Sequence, residues 1–463
     1  MPAIRGRAVS RRVLFQMVTV GTYTALVKAA GALKVVCTAR AFGMSDGLDA
    51  YLIAFLLPSF VADTLAGALS SALVPTFIEV REVQGPEAAR RLYRSVLIAA
   101  VGLLTIVGLA LAALGPWALR PLALRFDGPK LALTASLFRV MWPIVPLSAL
   151  NIIWPSILNT EGRFAFPAII PVVTPLASIL FLLRFGHSWG VYSLAVGTLA
   201  GGVVEVVLLG AGMVRRGFPI LPRWEGHSPA LDQVLAQYGP VIAGVLLLGG
   251  APLVDQSIAA MLASGSVAAL NYGTRLTAVL LAVGPIAVAT AILPHFSKLT
   301  VSEDPEHVRH SLRSYAVIIL AVTLPVIGLL VFFSEPLIRL VFQRGQFTGA
   351  ATGVVATVQR YSLLTIPPAM VTALVLRLVS SLKMNHLLLR AGALSVGLNL
   401  ALDLILTRWM GVAGIALSAA VVQFVTLSYL WRRLTSAVKL TDDDRITLAT
   451  TGGIPRGDRM PPA

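Results

Sequence analysis

Residues 72–77 read Ala-Leu-Val-Pro-Thr-Phe, and residues 291–296 read Ala-Ile-Leu-Pro-His-Phe. Each hexapeptide ends an apolar run that is long enough to cross a bilayer as a helix. A second pair of segments, 190–195 and 411–416, reads Gly-Val-Tyr-Ser-Leu-Ala and Gly-Val-Ala-Gly-Ile-Ala, and each opens such a run. Both pairs are separated by about 220 residues, and similar segments at one offset indicate internal duplication. The sequence therefore predicts two copies of one helical unit.

The composition is that of a membrane protein. Hydrophobic residues make up 57% of the 463 residues, charged residues make up only 13%, and the mean hydropathy is +0.83. These values lie outside the range of soluble domains. Apolar runs of about 20 residues predict about twelve transmembrane helices, at 14–38, 48–79, 94–116, 131–158, 165–185, 190–214, 234–262, 267–298, 312–333, 353–382, 387–407 and 411–431.

The duplication divides the predicted helices into two lobes of six. Because six is even, both copies enter the membrane in the same orientation and are related by an axis along the membrane normal. We predict an N-terminal lobe at 1–222, a C-terminal lobe at 223–436 and a disordered cytoplasmic tail at 437–463, which is polar and contains glycine and proline. The fold class is thus an all-α polytopic membrane protein, and two such lobes predict transport by alternating access.

Positive charge is concentrated in alternate loops. The net charge of +16 comes largely from clusters before the first span and after the second, sixth, eighth and twelfth. The positive-inside rule places these loops and both termini in the cytoplasm, so the charge reflects topology and predicts no nucleic-acid partner. The first helix is interpreted as uncleaved, because no convincing small-residue cleavage site follows it. The lone Cys37 and the scattered histidines predict neither an intramolecular disulfide nor a structural metal site.

Two lysines, Lys28 and Lys34, lie inside the first apolar run. A cation at bilayer depth is unfavourable unless it faces water or a counter-charge, so the pair suggests a cavity for an anionic substrate. Asp63 in the second span and Arg275 near the start of the eighth are further candidates for such a cavity. The alternatives are that the lysines pair with Asp63 or Asp49, or that Lys34 and Arg275 extend to the membrane interface.

A candidate cation site lies on the eleventh helix. Asn399 and Asp403 are four residues apart and therefore share one helix face. Their amide and carboxylate oxygens suit a hard cation, and Asp255 of the seventh helix would complete the set. The alternative is hydrogen bonding between helices by a protonated aspartic acid and an asparagine.

Several motifs occur in a fixed order along the chain. They are residues 28–34 (KAAGALK), 39–43 (ARAFG), 49–51 (DAY), 55–58 (FLLP), 67–75 (GALSSALVP), 263–267 (ASGSV), Tyr272 with Arg275, and 340–348 (LVFQRGQFT). This series resembles the MurJ/MviN family of lipid II flippases. Any single motif is weak evidence, whereas the ordered set is specific.

The resemblance implies a fold of the MOP exporter superfamily, which includes the MATE transporters, in the bacterial cytoplasmic (inner) membrane. It implies a transporter and not an enzyme, and its substrate is a polyprenyl-diphosphate-linked glycan precursor, with membrane lipids and the cell-wall synthesis machinery as further partners. The family's cavity arginines fall on Lys28, Lys34 and Arg275, and its acidic residue at the start of the second helix falls on Asp49. The resemblance also implies sodium coupling, for which the matching positions are Asp255, Asn399 and Asp403. No other cofactor is expected.

The sequence also departs from the family pattern. Lysine replaces arginine in the first helix, which keeps the charge but loses the planar fork that grips a diphosphate at two oxygens. Ala62 and Asp63 replace an arginine pair, and Thr274 replaces an acidic residue. Twelve helices are predicted here, whereas the family usually has fourteen. The competing functions are a flippase for lipid-linked exopolysaccharide or O-antigen, a cation-coupled drug antiporter, a membrane glycosyltransferase and a non-transporting scaffold. The cavity lysines argue against the antiporter, and the short outer loops argue against the glycosyltransferase.

Overall fold

A computed structural model of the protein describes residues 2–221, 223–284, 305–381, 384 and 386–450. Within these ranges the chain is helical and contains no strand. The helices are α1 (Pro2–Phe42), α2 (Asp46–Val83), α3 (Pro86–Leu119), α4 (Gly128–Met141), α5 (Ile144–Thr160), α6 (Ala165–Ile169), α7 (Val173–Trp189), α8 (Tyr192–Val214), α9 (Pro229–Gly249), α10 (Ala251–Ala260), α11 (Ser266–Gly273), α12 (Pro305–Phe332), α13 (Ser334–Phe342), α14 (Gly349–Leu363), α15 (Ile366–Ser381), α16 (His386–Met410) and α17 (Val412–Thr450).

The described helices include nine that are long and apolar enough to cross a membrane, or up to eleven if two bent pairs are each one span. The bent pairs, α4 with α5 and α9 with α10, coincide with the predicted spans 131–158 and 234–262. The predicted first span, 14–38, lies within α1 but is not among the nine, and Lys28 and Lys34 lower the hydropathy there. Residues 285–298, which end the predicted eighth span and include the second hexapeptide, lie outside the described residues.

The chain packs into two compact units. The first unit comprises Met1–Gly273, Glu335–Val358 and Leu402–Ile415, and the second comprises Thr274–Ser334, Gln359–Ala401 and Ala416–Ala463. The first unit therefore combines the whole predicted N-terminal lobe with three pieces of the predicted C-terminal lobe. The two units are defined by packing, whereas the two lobes are predicted from the internal duplication. The boundary between the lobes at 222 therefore stays a prediction.

The first hexapeptide lies in the core of the first unit. Leu73 and Phe77 are almost fully buried, with 0% and 1% of their surface exposed. The ring of Phe77 lies 6.5 Å from that of Phe218, which in turn meets Tyr93 of α3 edge to face at 5.9 Å. Pro75 interrupts the backbone hydrogen bonds of α2 without ending the helix. The hexapeptide thus packs α2 against α3 and the end of α8.

The second duplicated pair has the same local structure in both copies. Gly190 and Gly411 have φ of +53° and +55°, a conformation that favours glycine because it has no Cβ. The N–H of Gly190 donates to the carbonyl oxygen of Gly186 at 3.1 Å, and that of Gly411 donates to Thr407 at 3.0 Å. Each glycine ends one helix and allows the next to begin at once.

The second unit has its own apolar core. Leu363, Val375 and Leu434 are fully buried in it. Buried hydroxyl groups also connect its helices, because the Ser362 Oγ donates to the Thr277 Oγ1 at 2.8 Å.

The last helix extends into the tail that was predicted as disordered. Helix α17 continues through Thr450, and the division into two lobes and a disordered tail stays a prediction. Residues 437–450 contain Ala, Leu, Lys and Arg, which favour helix even when the overall composition is polar. Residues 451–463 lie outside the described residues.

Candidate functional site

Three segments that are distant in the sequence meet in the first unit. They are, in chain order, residues 40–49, 264–272 and 342–347. The N–H of Gln346 donates to the carbonyl oxygen of Arg40 at 3.0 Å, and the Tyr272 hydroxyl donates to the carbonyl oxygen of Gly43 at 3.2 Å. We call these three segments, together with Lys130 of α4, the glycine junction.

Glycines allow the backbones of the junction to approach closely. Gly43, Gly265 and Gly345 have φ of +55°, +80° and +61°. A Cβ on Gly265 would lie 2.6 Å from the carbonyl oxygen of Met44, which is shorter than non-bonded atoms allow. Only glycine therefore fits this turn without a shift of the backbone.

Asp49, in the first turn of α2, is the central polar group of the junction. Its side chain is buried, with 1% of the residue exposed. The Oδ2 atom accepts hydrogen bonds from the N–H of Gly265 at 2.8 Å and from the Lys130 Nζ at 3.0 Å, and the Oδ1 atom accepts from the N–H of Ala268 at 2.9 Å. The carboxylate is therefore covered by three donors in this arrangement, and the predicted substrate-binding role of Asp49 stays a prediction.

Lys130 completes the junction. Its ammonium group pairs with both Asp46 and Asp49, and it lies 4.2 Å from the ring centroid of Phe126. Asp46 also accepts a hydrogen bond from the Ser264 hydroxyl at 2.7 Å. Lys130 is not among the functional residues predicted from the sequence. Its partners, two carboxylates in the first turn of α2, gave only a weak signal in the sequence, because acidic residues are typical of helix N-termini in general.

Aromatic rings cover one side of the junction. Tyr272, Phe342 and Phe347 pack together with centroids 5.3–5.7 Å apart, and all three are buried. The segments 263–267 and 340–348, which carried much of the family resemblance, therefore lie in one structural assembly.

Lys34 belongs to a buried polar cluster in the first unit. Its Nζ donates to the Thr198 Oγ1 at 3.2 Å. The same oxygen lies 3.1 Å from both the Tyr51 hydroxyl and the Ser178 Oγ. Four helices, α1, α2, α7 and α8, contribute these groups, so Lys34 is held by neutral hydroxyls and is half-buried.

Lys28 differs from Lys34. It is exposed on α1 and makes no hydrogen bond or ion pair with any residue that the structure describes. Asp63 of α2 is likewise exposed and has no such contact within the described ranges. The alternative in which the lysines pair with Asp49 or Asp63 is therefore not what the described residues show. The cavity roles of Lys28, Lys34 and Asp63 stay predictions.

The other candidate residues occupy both units. Arg275 is exposed at the start of the second unit, directly after Thr274, where the helix that began at Ser266 is interrupted. On α16, Asn399 is 3% and Asp403 is 0% exposed. Asp255 of α10 is half-buried. The described residues contain no group of three His, Cys, Asp or Glu side chains placed to hold a metal ion.

The fold defines a class of protein, a multi-span helical membrane protein. The structure is similar to an inward-facing MATE multidrug-resistance transporter of the MOP superfamily, with a TM-score of 0.71 and 18% identity, covering 91% of this chain and 96% of the other. It is also similar to a lipid II flippase MurJ in an inward closed conformation, with a TM-score of 0.78 and 20% identity, covering 95% and 94%. These likenesses show the fold.

Sequence comparison then gives the family. A family model described as "Lipid II flippase MurJ" matches residues 38–451. The chain therefore belongs to the lipid II flippase MurJ family, a family of transporters of the bacterial inner membrane and not of enzymes. It is 29% identical to a lipid II flippase MurJ of Burkholderia cenocepacia over 353 residues, which cover 73% of this chain and 68% of that protein.

Proposed function

We propose that this protein is a lipid II flippase, which moves the lipid-linked precursor of peptidoglycan from the inner to the outer leaflet by alternating access. The observation that carries the proposal is the family match over residues 38–451. Both termini face the cytoplasm in this proposal, because the basic loops follow the positive-inside rule. The glycine junction then lies on the outer side of the membrane.

The glycine junction supports an alternating-access mechanism. Its polar contacts are hydrogen bonds and one shared ion pair, and a hydrogen bond to a charged group contributes only about 1.5–3 kcal/mol net because water can replace it. A junction of this kind can close the outer side and still open during transport. An interface made only of interlocking apolar side chains would offer no such exchange with water.

Lys28 is the best candidate for contact with the substrate diphosphate. It is an exposed cation without a counter-charge among the described residues, whereas Lys34 is engaged by Thr198. Cell-wall synthesis enzymes are the proposed partners, because a precursor delivered to the outer leaflet must be consumed there.

The function is tested by complementation. Expression of this chain in a bacterium depleted of its own lipid II flippase is expected to restore growth and to restore the exposure of lipid II on the outer leaflet, measured with a reagent that cannot cross the membrane. Normal membrane levels with neither growth nor exposure would contradict the proposal. Exposure of a lipid-linked exopolysaccharide precursor alone would indicate the other flippase class.

Sodium coupling is a further part of the proposal. The Asn399 Oδ1 is buried and accepts no hydrogen bond from the residues that the structure describes, and the neighbouring Asp403 carboxylate is fully buried. Amide and carboxylate oxygens suit a small cation by residue type, and Asn399, Asp403 and Asp255 are the proposed contributors on that ground.

Replacing Asp403 with asparagine is expected to abolish the sodium response. The wild-type melting temperature should be higher in NaCl than in KCl at equal ionic strength, because a ligand that binds only the native state stabilises it. Asp403→Asn and Asn399→Ala should remove this difference. Glu205→Gln is the matched control, because Glu205 is also a buried carboxylate but accepts from the N–H of Thr174 at 3.1 Å. Equal melting temperatures of the wild type in both salts would exclude the site.

A further inference from the structure

We propose that a pocket in the first unit binds the phosphate of an anionic membrane lipid. The pocket has a volume of about 440 Å³ and is bounded by α1, the turn from α5 to α6 and the end of α8. Its walls include Arg163, Arg215 and Arg216, and the aromatic rings of Phe164 and Phe166. We call these five residues the arginine pocket.

The positive charge of the arginine pocket is unmatched. The guanidinium groups of Arg163, Arg215 and Arg216 make no ion pair or hydrogen bond with other residues in the described part of the chain. The nearest acidic residue in sequence, Glu161, pairs with Arg81 at 2.9 Å and is therefore occupied. Three neighbouring cations repel one another unless an anion lies between them.

Two other arginines on the same predicted side of the membrane are paired. Arg94 contacts Glu225 at 2.7 Å, and Arg90 contacts Glu87 at 2.8 Å. Arg91 has no such partner within the described ranges, but it does not line this pocket. Three unpaired guanidinium groups at one cavity distinguish the arginine pocket as a place for an external anion.

Phosphate is the anion that this pocket suits. The guanidinium group is planar and presents two parallel N–H donors to oxyanions, and it keeps its charge at every physiological pH. The volume also lies within the range of about 300–1,000 Å³ that is usual for ligand pockets. A phosphodiester with part of its headgroup fits these dimensions.

A lipid is the source of the phosphate that the surroundings favour. Phe164 and Phe166 are 40% and 38% exposed at the pocket, and apolar rings beside cations match the boundary between headgroups and acyl chains. Phe166 is also firmly placed, because a Cβ on Gly212 would lie 2.5 Å from its ring. Arg215 and Arg216 lie in a predicted cytoplasmic loop, where anionic lipids attract basic residues.

The arginine pocket is distinct from the transport cations. Lys28, Lys34 and Arg275 do not line it. The inference goes beyond the proposed function, and binding of a short-chain phospholipid can be measured whether or not the protein moves lipid II.

The test is native mass spectrometry of the full-length protein in a non-ionic detergent. Dioctanoyl phosphatidylglycerol is the probe, and dioctanoyl phosphatidylcholine, which carries the same phosphate but no net charge, is the comparison lipid. We expect dioctanoyl phosphatidylglycerol to bind saturably. The triple variant Arg163→Gln, Arg215→Gln and Arg216→Gln should lower this affinity by about tenfold or more, because each removes a charge-assisted hydrogen bond.

Arg91→Gln is the matched control. Arg91 of α3 is exposed and also lacks an ion pair within the described ranges, but it does not line the pocket. Its replacement should leave the affinity unchanged. If the triple variant does not fold, the single variants Arg215→Gln and Arg216→Gln test the same proposal. Each is expected to lower the affinity for the lipid by less than the triple variant.

Three results would overturn the inference. The first is equal affinity of the pocket variants and the wild type. The second is an equal loss in Arg91→Gln, which would indicate attraction to general surface charge. The third is displacement of the lipid by an equal concentration of inorganic phosphate, which would indicate a site for the free ion and not for a lipid.

Discussion

Replacing Asp49 with alanine is expected to increase amide hydrogen exchange at Gly265 and Ala268 by roughly 10²–10³-fold. The substitution leaves two backbone N–H groups and the Lys130 ammonium without their acceptor. Removing one partner of a buried, charged network costs about 3–5 kcal/mol, and each 1.4 kcal/mol changes an equilibrium about tenfold. Exchange at these two amides reports local opening of the glycine junction directly.

Asp63→Ala is the matched control for this prediction. Asp63 lies on the same helix but is exposed and makes no hydrogen bond with the described residues. Its replacement should leave both amides protected. Asp49→Asn should give an intermediate effect, because an amide oxygen can still accept from one N–H while the charge that balances Lys130 is lost. Unchanged protection in Asp49→Ala would show that the carboxylate does not hold the junction closed.

The helices of this protein could be predicted from the sequence because hydropathy is a local property. Each predicted span that is described lies on a helix or a bent pair of helices. The two bends, between α4 and α5 and between α9 and α10, leave the apolar runs almost continuous, so hydropathy does not reveal them. The available signals were Pro143 at the first bend and Gly249-Gly250 before Pro252 at the second.

The glycine junction could not be predicted because its contacts join residues that are far apart in the chain. Asp49 and Gly265 are separated by 216 positions, and Asp49 and Lys130 by 81. The family resemblance marked Asp49 and the segment 263–267 as distinctive, but it did not show that they touch. The three glycines with positive φ were the available signal, since the quoted motifs 39–43, 263–267 and 340–348 each contain one.

The two first-helix lysines also make contacts that could not be predicted from the sequence. Their depth in the apolar run suggested one shared role. The structure separates them, because Lys34 donates to the Thr198 hydroxyl in a buried cluster, whereas Lys28 is exposed. Helical spacing already places the two side chains about 120° apart around the helix axis. Which of them meets a polar cluster depends on α8, whose Thr198 hydroxyl accepts from Lys34.

Replacing Lys28 with glutamine is expected to lower lipid II transport by about 10- to 100-fold without lowering the amount of folded protein. A hydrogen bond from a charged donor contributes about 1.5–3 kcal/mol, and the substitution removes the charge that would face the diphosphate. Folding should be unaffected because Lys28 is exposed and contacts no described polar group. The measurement is the initial rate of lipid II exposure, normalised to membrane protein level.

Three companion variants make the result specific. Lys28→Arg should retain transport, since guanidinium keeps the charge and adds a second parallel donor. Lys34→Gln should lower both transport and thermal stability, because it also disturbs the hydroxyl cluster around Thr198. Arg139→Gln, which removes an exposed cation from α4, should change neither. Normal transport by Lys28→Gln would exclude the diphosphate role, and equal losses in Lys28→Gln and Arg139→Gln would indicate a general effect of charge, because only Lys28 is proposed to meet the substrate.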